Sequence, residues 1–345
     1  MMVGLPSSPI FADLYLTHLC NLSCGFCYYR AFPDAGGQEL STAGWKSVID
    51  ELATMKVLRV SIPGGEPFMR GDILELLEHI ARRRMQIRLN TNGTLLDESI
   101  ADALKNIGHF HEIQISLDGL RERHDAIRGQ GTWDRATHAV RLLKGRGLPV
   151  SVNMVMTEEN HGDCEAACRH FCEELKVDSL RVTPVNDVWS PLGSSSHRLT
   201  LEHTAELVAI LARLAREYPA LARGGSAFLA YYRNIRNPRP SPATPCRCCR
   251  MLWQGITIRA DGAIVCCPNG GDKVLGHVGA DSILEVWRDS PIMADLRNRA
   301  KAGRTDLPPQ CDGCEYGWYC RQNCVALPPH AVQVCLKEIK RLLSD

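Results

Sequence analysis

The grouping of the cysteines constrains the fold of this chain more than any other feature of its sequence. Of its 345 residues, sixteen are cysteines: three lie at 20 to 27, three at 164 to 172 and ten between 246 and 335. The first residues lack the charged and apolar pattern of an export signal, and thiols stay reduced in the cytosol. Clustered thiols in such a chain are typical of metal binding. We therefore expect a cytoplasmic protein whose cysteine-rich segments are organised by metal.

The composition argues against two classes of protein. Forty basic and thirty-nine acidic residues leave a net charge of +1. Without a basic run we expect no nucleic-acid partner, because phosphate backbones are bound by clustered positive charge. The sequence has no stretch of about 18 apolar residues, so we expect no membrane-spanning segment. An apolar fraction of 45% is sufficient for a globular core.

Short apolar segments alternate with amphipathic helical patterns between residues 10 and 190. A helix is predicted at Ile73–Arg84, where Ile73, Leu76, Leu77 and Ile80 share one face. Six strands are predicted, at Phe11–Leu16, Val57–Ile62, Gln86–Asn90, Glu112–Leu117, Val150–Met156 and Ser179–Val185. This alternation predicts an α/β fold, a partial (β/α)6 TIM-type barrel, with its ligands at the carboxyl ends of the strands.

The pattern changes after the sixth predicted strand. We divide the chain into a barrel at 10–190, a helical bridge at 191–245 and a cysteine-rich domain at 246–345. The bridge contains a predicted helix, Leu201–Glu217, and the last domain a predicted hairpin of Ile256–Arg259 and Ala263–Cys266. A segment with so little periodicity buries little core by itself, so we expect bound metal to organise it.

The first cysteine group directly follows the first predicted strand and reads Cys20-Asn21-Leu22-Ser23-Cys24-Gly25-Phe26-Cys27. Three thiolates on one short loop suit three irons of a cubane cluster and leave the fourth iron without a protein ligand. A zinc site is the weaker alternative, because structural zinc sites have four ligands. With Phe26 and Tyr28 flanking its last cysteine, the loop resembles the defining motif of the radical S-adenosylmethionine (SAM) superfamily.

Further motifs extend this resemblance over roughly residues 10 to 190, because they follow successive strands in the expected order. They are Pro63-Gly64-Gly65-Glu66-Pro67, Thr91-Asn92-Gly93, Ser116-Leu117-Asp118-Gly119 and Arg128, twelve residues after Ser116. The resemblance implies a [4Fe–4S] cluster on Cys20, Cys24 and Cys27, with SAM beside it. The two glycines let the backbone approach the methionine amino group.

The resemblance also assigns SAM-binding residues one by one. Ser116 and Arg128 hold the SAM carboxylate, Asn153 reaches the ribose or methionine polar groups, Phe26 lies near the adenine, and Val185 closes the adenine pocket. The complete predicted set is Phe26, Gly64, Gly65, Glu66, Ser116, Arg128, Asn153 and Val185.

The last hundred residues resemble the seven-cysteine SPASM pattern of peptide-maturing members of the superfamily. Cys249 is followed by Gly262 and Cys267, then by Cys311-x2-Cys314-x5-Cys320-x3-Cys324, and finally by Cys335. The resemblance implies one or two auxiliary iron–sulfur clusters of the [4Fe–4S] type. The predicted ligands are Cys249, Cys267 and Cys324 for the first, and Cys311, Cys314, Cys320 and Cys335 for the second.

The fourth ligand of the first auxiliary cluster is where the chain departs from the pattern. A cysteine is expected a few residues after Cys249, and position 255 is glycine. Cys246, Cys248 or Cys266 would substitute, or the iron is open to a substrate group. One or two zinc ribbons are the competing interpretation of the paired C-x2-C spacings.

Two other groups receive no catalytic role. Cys164, Cys168 and Cys172 have i, i+4, i+8 spacing on one predicted helix, and we expect them to pack in the core. The scattered histidines lack mutual metal-ligand spacing.

Cys267 is followed by Pro268, where sulfatase-maturing relatives have an acidic residue that resembles a general base, so sulfatase maturation is disfavoured.

The resemblance implies an oxidoreductase that reductively cleaves SAM and abstracts hydrogen from a substrate C–H bond. We expect a ribosomally made precursor peptide as substrate, with a cross-link, thioether or epimer as product. The alternatives are an enzyme of small-molecule or tetrapyrrole biosynthesis and a zinc-stabilised binding module without turnover. Flavodoxin or ferredoxin is the expected electron donor. We expect no winged-helix module before the first strand, and therefore a separate leader-peptide recognition protein or direct recognition by the barrel.

Overall fold

The computed structural model describes residues 5–27, 29, 38–185, 197–237, 250–267, 273–302, 311, 313–316 and 335–344. Its strands are β1 Phe11–Leu14, β2 Arg59–Ile62, β3 Gln86–Thr91, β4 Phe110–Ser116, β5 Val150–Met156, β6 Ser179–Pro184, β7 Gly255–Ile258, β8 Ala263–Val265 and β9 Val274–His277. Its helices are α1 Thr42–Thr54, α2 Ile73–Arg82, α3 Glu98–Ile107, α4 Arg121–Arg128, α5 Thr132–Gly145, α6 Cys164–Glu173, α7 Leu201–Glu217, α8 Pro219–Gly224, α9 Ala227–Arg236, α10 Arg250–Gln254, α11 Ile283–Asp289, α12 Pro291–Ala302 and α13 Leu336–Leu342.

The first six strands form a parallel sheet in sequential order, joined by helices, as the βα alternation predicted. The full sheet order is β6-β5-β4-β3-β2-β1-β7-β8-β9. All six predicted strands are present with ends within two residues of the prediction. Across the described residues the sheet is open, so the barrel is partial. The α/β partial-barrel prediction is confirmed.

Side chains on the two faces of the sheet differ in polarity. Residues such as Val60, Leu89 and Ile113 are fully buried under the helices, because alternate residues of a strand point to opposite faces. Helix α2 packs the predicted apolar face onto the sheet and ends at Arg82, two residues before the predicted end. Arg84 has a φ of 62°, a left-handed conformation that cannot continue a helix.

The cysteine-rich segment is joined to the barrel by backbone hydrogen bonds. Strands β7 and β8 form the predicted antiparallel hairpin, and β7 also pairs in parallel with β1 from Phe11↔Gly255 to Leu14↔Ile258. The Trp287 indole is fully buried and donates to the Gly255 carbonyl at 3.0 Å. The apolar side chains of this segment therefore belong to one core with those of the barrel.

The bridge helices pack against the last barrel strand. Thr200 caps α7 by accepting from the His203 backbone, and α7 has the predicted bounds. The Ser226 hydroxyl donates to the Val182 carbonyl at 2.7 Å. The division into barrel, bridge and cysteine-rich domain stays a prediction, and the continuous sheet crosses its boundary at residue 246.

The second cysteine group lies on α6. Cys164 and Cys168 are fully buried and Cys172 packs against the core, so the core-packing prediction is confirmed. No helix in the described part of the chain has the length and apolarity required to cross a membrane.

The close contact between α8 and β6 generates the first prediction. A Cβ at Gly224 would lie 1.8 Å from the Leu180 carbonyl oxygen, so Gly224→Ala forces the helix away from the strand. We expect a loss of about 1–3 kcal/mol in the free energy of unfolding, measured by denaturant titration. Gly145→Ala is the matched control, because a Cβ there meets nothing within 4 Å. Equal stability of both variants would contradict this packing.

Candidate active site

A cavity of about 560 Å³ opens at the carboxyl ends of the barrel strands. Its walls come from the loops that follow β1, β2 and β3 and from the inward face of β3 to β6. The lining residues are His18, Cys20, Leu22, Cys24, Phe26, Cys27, Tyr29, Pro63, Gly64, Gly65, Glu66, Asn90, Thr91, Asn92, Gln114, Ser116, Arg128, Asn153, Val155, Thr183 and Pro184.

The three cysteines of the first motif all line this cavity. The Cys27 backbone N–H donates to the Cys24 carbonyl at 3.2 Å, which closes the loop into a turn. Burial raises the pKa of the Cys20 and Cys24 thiols, and the nearby Arg128 guanidinium partly opposes this shift. All three thiols are free, and among the described lining residues there is no fourth cysteine. This donor set fits a cubane cluster with one iron open to a ligand.

The two glycines of the second motif are required by the protein backbone itself. The Gly65 N–H donates to the Thr17 carbonyl at 3.2 Å, and the Glu66 N–H to the Leu19 carbonyl at 2.8 Å. A Cβ at Gly65 would lie 2.1 Å from the Leu19 oxygen. The cysteine loop and the glycine loop therefore lie too close for any side chain at position 65.

Glu66 is almost completely buried and accepts three hydrogen bonds. The donors are the Thr91 hydroxyl at 2.7 Å, the Asn92 N–H at 2.8 Å and the Phe68 N–H at 3.3 Å. Burial raises the pKa of Glu66 to about 7, although these donors and Arg128 act in the opposite direction. Near neutral pH the carboxyl group therefore exists in both protonation states, and a cation in the cavity favours the ionised one.

A buried ion pair supports another part of the cavity wall, to which Arg128 contributes. The Arg128 Nε donates to Asp118 Oδ2 at 2.5 Å, while Asp118 Oδ1 accepts from the Val155 N–H at 2.8 Å. Asp118 is fully buried, and the Arg128 guanidinium carbon lies 5.7 Å from the centre of the Phe26 ring. The pair thus joins β4 to β5 and places a cationic group beside the cysteine loop.

His124 supports this wall from behind. Its Nδ1 accepts from the Asp118 N–H at 3.1 Å. Burial, together with the charge of Arg128, lowers the pKa of His124 to about 4. The ring is therefore neutral at pH 7 and adds no second cation to the wall.

Seven of the eight predicted SAM-binding residues line the same cavity: Phe26, Gly64, Gly65, Glu66, Ser116, Arg128 and Asn153. Val185 is buried one residue beyond Pro184, and its N–H donates to the Met156 carbonyl at 3.0 Å. Val185 is not one of the described residues that line the cavity. The roles of all eight in binding SAM stay predictions.

Sequence reasoning missed several polar groups that lie in the cavity or next to it. Asp118 and Asn92 were noted only as motif members, although Asp118 pairs with Arg128 and the Asn92 backbone binds Glu66. Tyr29, whose hydroxyl lies 2.9 Å from His18 Nδ1, carried no signal beyond its position after the cysteine motif. These partners lie in loops or on a helix that come together only in the fold, and spacing along the chain does not identify them.

The predicted auxiliary-cluster ligands are only partly within the described residues. Cys266 and Cys267 are buried, with their sulfur atoms 3.8 Å apart. The Cys314 N–H donates to the Cys311 carbonyl at 3.2 Å, and Cys335 is exposed. Cys246, Cys248, Cys249, Cys320 and Cys324 lie outside the described residues. The ligand sets of both auxiliary clusters therefore stay predictions.

Two known protein families match this chain, one in its N-terminal part and one in its C-terminal part. The profile of the radical SAM superfamily matches residues 14–171, and that of the SPASM iron–sulfur cluster-binding domain matches residues 232–315. The second match begins before the predicted boundary at 246.

Curated relatives match nearly the whole chain. Mycofactocin maturase MftC of Mycobacterium ulcerans is 30% identical over 338 residues, covering 92% of this chain and 84% of that protein. PqqA peptide cyclase of Gluconobacter oxydans is 28% identical, covering 90% of this chain and 84% of that protein. Fe-coproporphyrin III synthase of Methanosarcina barkeri is 28% identical, covering 89% and 81%.

A solved structure has the same fold. Streptococcus suis SuiB bound to the precursor peptide SuiA matches with a TM-score of 0.75 at 21% identity, covering 93% of this chain and 73% of that chain.

The buried ion pair generates the second prediction. Arg128→Ala leaves the Asp118 carboxylate buried without its cation, so we expect a loss of about 3–5 kcal/mol in the free energy of unfolding. Arg82→Ala is the control, because the Arg82 side chain is 67% exposed and its pair with Glu78 contributes less than about 1 kcal/mol. Denaturant titration of both variants measures the difference, and similar losses would show that the pair is not structural.

The raised pKa of Glu66 generates the third prediction. Without a ligand, burial favours the protonated form of Glu66. Its contribution to the free energy of unfolding is complete below pH 4.5 and is lost as the pH rises through about 7. A cationic ligand instead binds the ionised form, so we expect the affinity for SAM to rise about tenfold between pH 6 and pH 8. Calorimetric titration with SAM measures this dependence.

Glu66→Gln removes the titrating carboxyl group and isolates its contribution. We expect this variant to lose the Glu66-dependent part of the pH profile, while Glu75→Gln, on the exposed face of α2, retains it. Identical profiles for wild type and Glu66→Gln would exclude Glu66 as the cation-binding group.

Proposed function

Because the chain belongs to the radical SAM superfamily and carries a SPASM iron–sulfur domain, we propose that it is a maturase that breaks a C–H bond in a ribosomally made precursor peptide. The observation that carries this proposal is the shared cavity, where the three thiols of one loop face Glu66 and Arg128. The similarity to a peptide cyclase over 90% of the chain supports the choice of a peptide.

Each wall of the cavity has a separate task in this proposal. Cys20, Cys24 and Cys27 hold the cluster of the active site. When bound, the [4Fe–4S] cluster and SAM supply a 5′-deoxyadenosyl radical, which takes a hydrogen atom from the substrate. Glu66 in its ionised form binds a cationic group of SAM. The Arg128–Asp118 pair holds its part of the cavity wall in place and presents a cation to the SAM carboxylate.

The fold around the cavity protects the reaction. Gly64 and Gly65 let the cysteine loop lie directly on the glycine loop, with no space for a side chain at position 65 between them. The parallel strands supply a rigid floor, and positioning groups on strands are held more firmly than groups on loops. Exclusion of solvent prevents side reactions of a reactive intermediate.

Partners follow from the chemistry of the proposal. Reductive cleavage of SAM consumes one electron, so a flavodoxin or ferredoxin supplies it. The precursor peptide is recognised by the barrel itself or by a separate leader-peptide recognition protein. When bound, the auxiliary clusters of the SPASM domain would supply an electron acceptor for the oxidised peptide or a site that positions it.

A tetrapyrrole substrate is the second candidate. The similarity to Fe-coproporphyrin III synthase extends over 89% of the chain, and that to the peptide cyclase over 90%. The two candidate functions differ in which molecule is chemically modified. A peptide-maturing enzyme alters the mass of a peptide, whereas a tetrapyrrole enzyme alters a porphyrin and leaves peptides unchanged.

The test is a turnover experiment, which is the fourth prediction. The anaerobically reconstituted enzyme is incubated with SAM, dithionite and synthetic peptides from short reading frames next to its gene, in parallel with coproporphyrin. We expect 5′-deoxyadenosine together with a mass change in one peptide, both measured by mass spectrometry. Cleavage of SAM with an altered porphyrin and no altered peptide would contradict the proposal.

The triple variant Cys20→Ala, Cys24→Ala, Cys27→Ala shows which cluster is responsible. We expect it to lose about four irons per chain and all 5′-deoxyadenosine formation, because these thiolates are the protein bonds of that cluster. Cys172→Ala is the control, since its thiol lies on α6 away from the cavity. Undiminished cleavage in the triple variant would remove the assignment of the active site.

A further inference from the structure

A second polar layer lies beneath the cavity on the inward face of the barrel. It consists of Arg88 on β3, Glu112 and Gln114 on β4, and Arg181 on β6. Arg88 Nε lies 2.9 Å from Glu112 Oε2, and Arg181 Nη2 lies 4.0 Å from Glu112 Oε1. The Arg181 Nε also donates to the Gly224 carbonyl at 2.8 Å. Glu112 thus lies beside both guanidinium groups, and the Gly224 carbonyl additionally holds that of Arg181.

Both arginines also bind the same atom above them. Arg88 Nη2 donates to Gln114 Oε1 at 2.6 Å, and Arg181 Nη1 donates to it at 2.8 Å. The residue opposite Gln114 on the intervening strand β5 is Ser151. Its small side chain leaves room for Arg181 to cross β5 and reach Gln114.

These two contacts decide which way the Gln114 amide points. Guanidinium groups only donate hydrogen bonds, so the atom that faces them is the amide oxygen. The NH2 group occupies the other branch of the side chain. Gln114 lines the cavity, and within the part of the chain that the structure describes its side-chain hydrogen bonds are those that its Oε1 accepts, with none donated by its Nε2. A donor with a fixed direction is thus presented to the cavity.

The charge of the layer favours an anionic acceptor for this donor. Among the charged groups in direct contact here, two arginines stand against one carboxylate, which leaves an excess of positive charge beside Gln114; Asp13 acts on Arg88 without a direct ion pair, and burial raises its pKa to about 6. Two cationic donors on the amide oxygen also polarise the amide and strengthen donation by its N–H groups. A carboxylate oxygen satisfies both the donor and the net charge, whereas an ammonium or amide N–H group satisfies neither.

We propose that Gln114 is a substrate-binding residue whose amide N–H donates to a carboxylate of the precursor peptide, with Arg88 and Arg181 as positioning residues that fix its orientation. This proposal rests on the proposed function for the identity of the substrate. Gln114 lies two residues before Ser116 on β4, and residues two apart face the same side of a strand. The bound carboxylate therefore lies deeper in the barrel than the predicted position of SAM.

The fifth prediction uses the substitution Gln114→Glu, which has the same shape. One carboxylate oxygen of the new side chain still accepts from both arginines, so the fold is retained, and thermal unfolding verifies this. The other oxygen faces the cavity as an acceptor in place of the donor. We expect the KM for the peptide modified by wild type to rise about tenfold or more, with a smaller change in the KM for SAM.

The matched control is Gln86→Glu, which makes the same change at an exposed position at the start of β3. We expect its KM values to equal those of wild type. An unchanged or lower peptide KM in Gln114→Glu would overturn the proposal, and so would a rise confined to SAM.

Carboxamide peptides identify the group that Gln114 binds. Each Glu or Asp of the peptide is replaced in turn by Gln or Asn, and a further peptide carries a C-terminal amide. We expect one of these peptides to bind wild type more weakly and to show no further loss with Gln114→Glu. The position of that change distinguishes a side-chain carboxylate from the C-terminal one. Equal further losses for every peptide would show that the group is not a carboxylate.

A crystal structure of the cluster-loaded enzyme with SAM tests the geometry without a peptide. We expect Gln114 Oε1 to remain on both guanidinium groups and Nε2 to stay free of SAM. Donation from Nε2 to SAM or to another protein group would overturn the proposal even if the enzyme modifies a peptide. Absence of peptide turnover in wild type would instead contradict the proposed function, and the two failures are thereby distinguished.

Discussion

The site depends on two backbone hydrogen bonds between the loop that follows β1 and the loop that follows β2. Gly65 donates to Thr17 and Glu66 donates to Leu19, and these contacts set the cysteine loop directly on the glycine loop. A side chain at position 65 would collide with the Leu19 carbonyl. The same contact points the Glu66 carboxyl group inward, toward Thr91 at the end of β3 and Asn92 in the loop that follows. Three consecutive βα loops are thereby locked into one wall.

The polar groups of the barrel interior are arranged in two layers of different character. The upper layer contains Glu66, whose pKa burial raises to about 7, and the Asp118–Arg128 pair. The lower layer contains Gln114 and the two arginines that hold its oxygen. Buried charges are costly unless they are paired, so each carboxylate here has defined donors. The partial barrel thus presents fixed donors and acceptors to a ligand from a core that is apolar on its helical side.

The SPASM segment is part of the same folding unit as the barrel in the described residues. Strand β7 extends the parallel sheet beyond β1. The Trp287 indole on α11 donates a hydrogen bond to the Gly255 carbonyl of β7 and so joins this helix to the sheet. Cys266 and Cys267 directly follow β8, which pairs with β7. Their position relative to the barrel is therefore set by sheet hydrogen bonds, and it does not depend on metal alone.

Local pattern in the sequence was sufficient to predict the six barrel strands, one hairpin, the helices α2 and α7, and the cysteine motif of the candidate active site. The six barrel strands, α7 and the β7–β8 hairpin follow from period and turn chemistry, which act over a few residues. The three cysteines of one loop also need only local spacing to suggest an open-iron cluster. Seven of the eight predicted SAM-binding residues line one cavity because the carboxyl ends of parallel strands meet at one edge.

Tertiary structure alone decided the pairings between residues distant in sequence. The parallel pairing of β1 with β7 joins segments more than two hundred residues apart, and no periodic pattern encodes a partner at that distance. The steric need for glycine at position 65 becomes visible only when the two loops are packed together. The same is true of the buried partner of Arg128. The orientation of the Gln114 amide likewise depends on two arginines from other strands. Sequence determines which groups each strand carries, whereas register and sheet curvature determine which of them touch, because hydrogen bonds and ion pairs act only at contact distance.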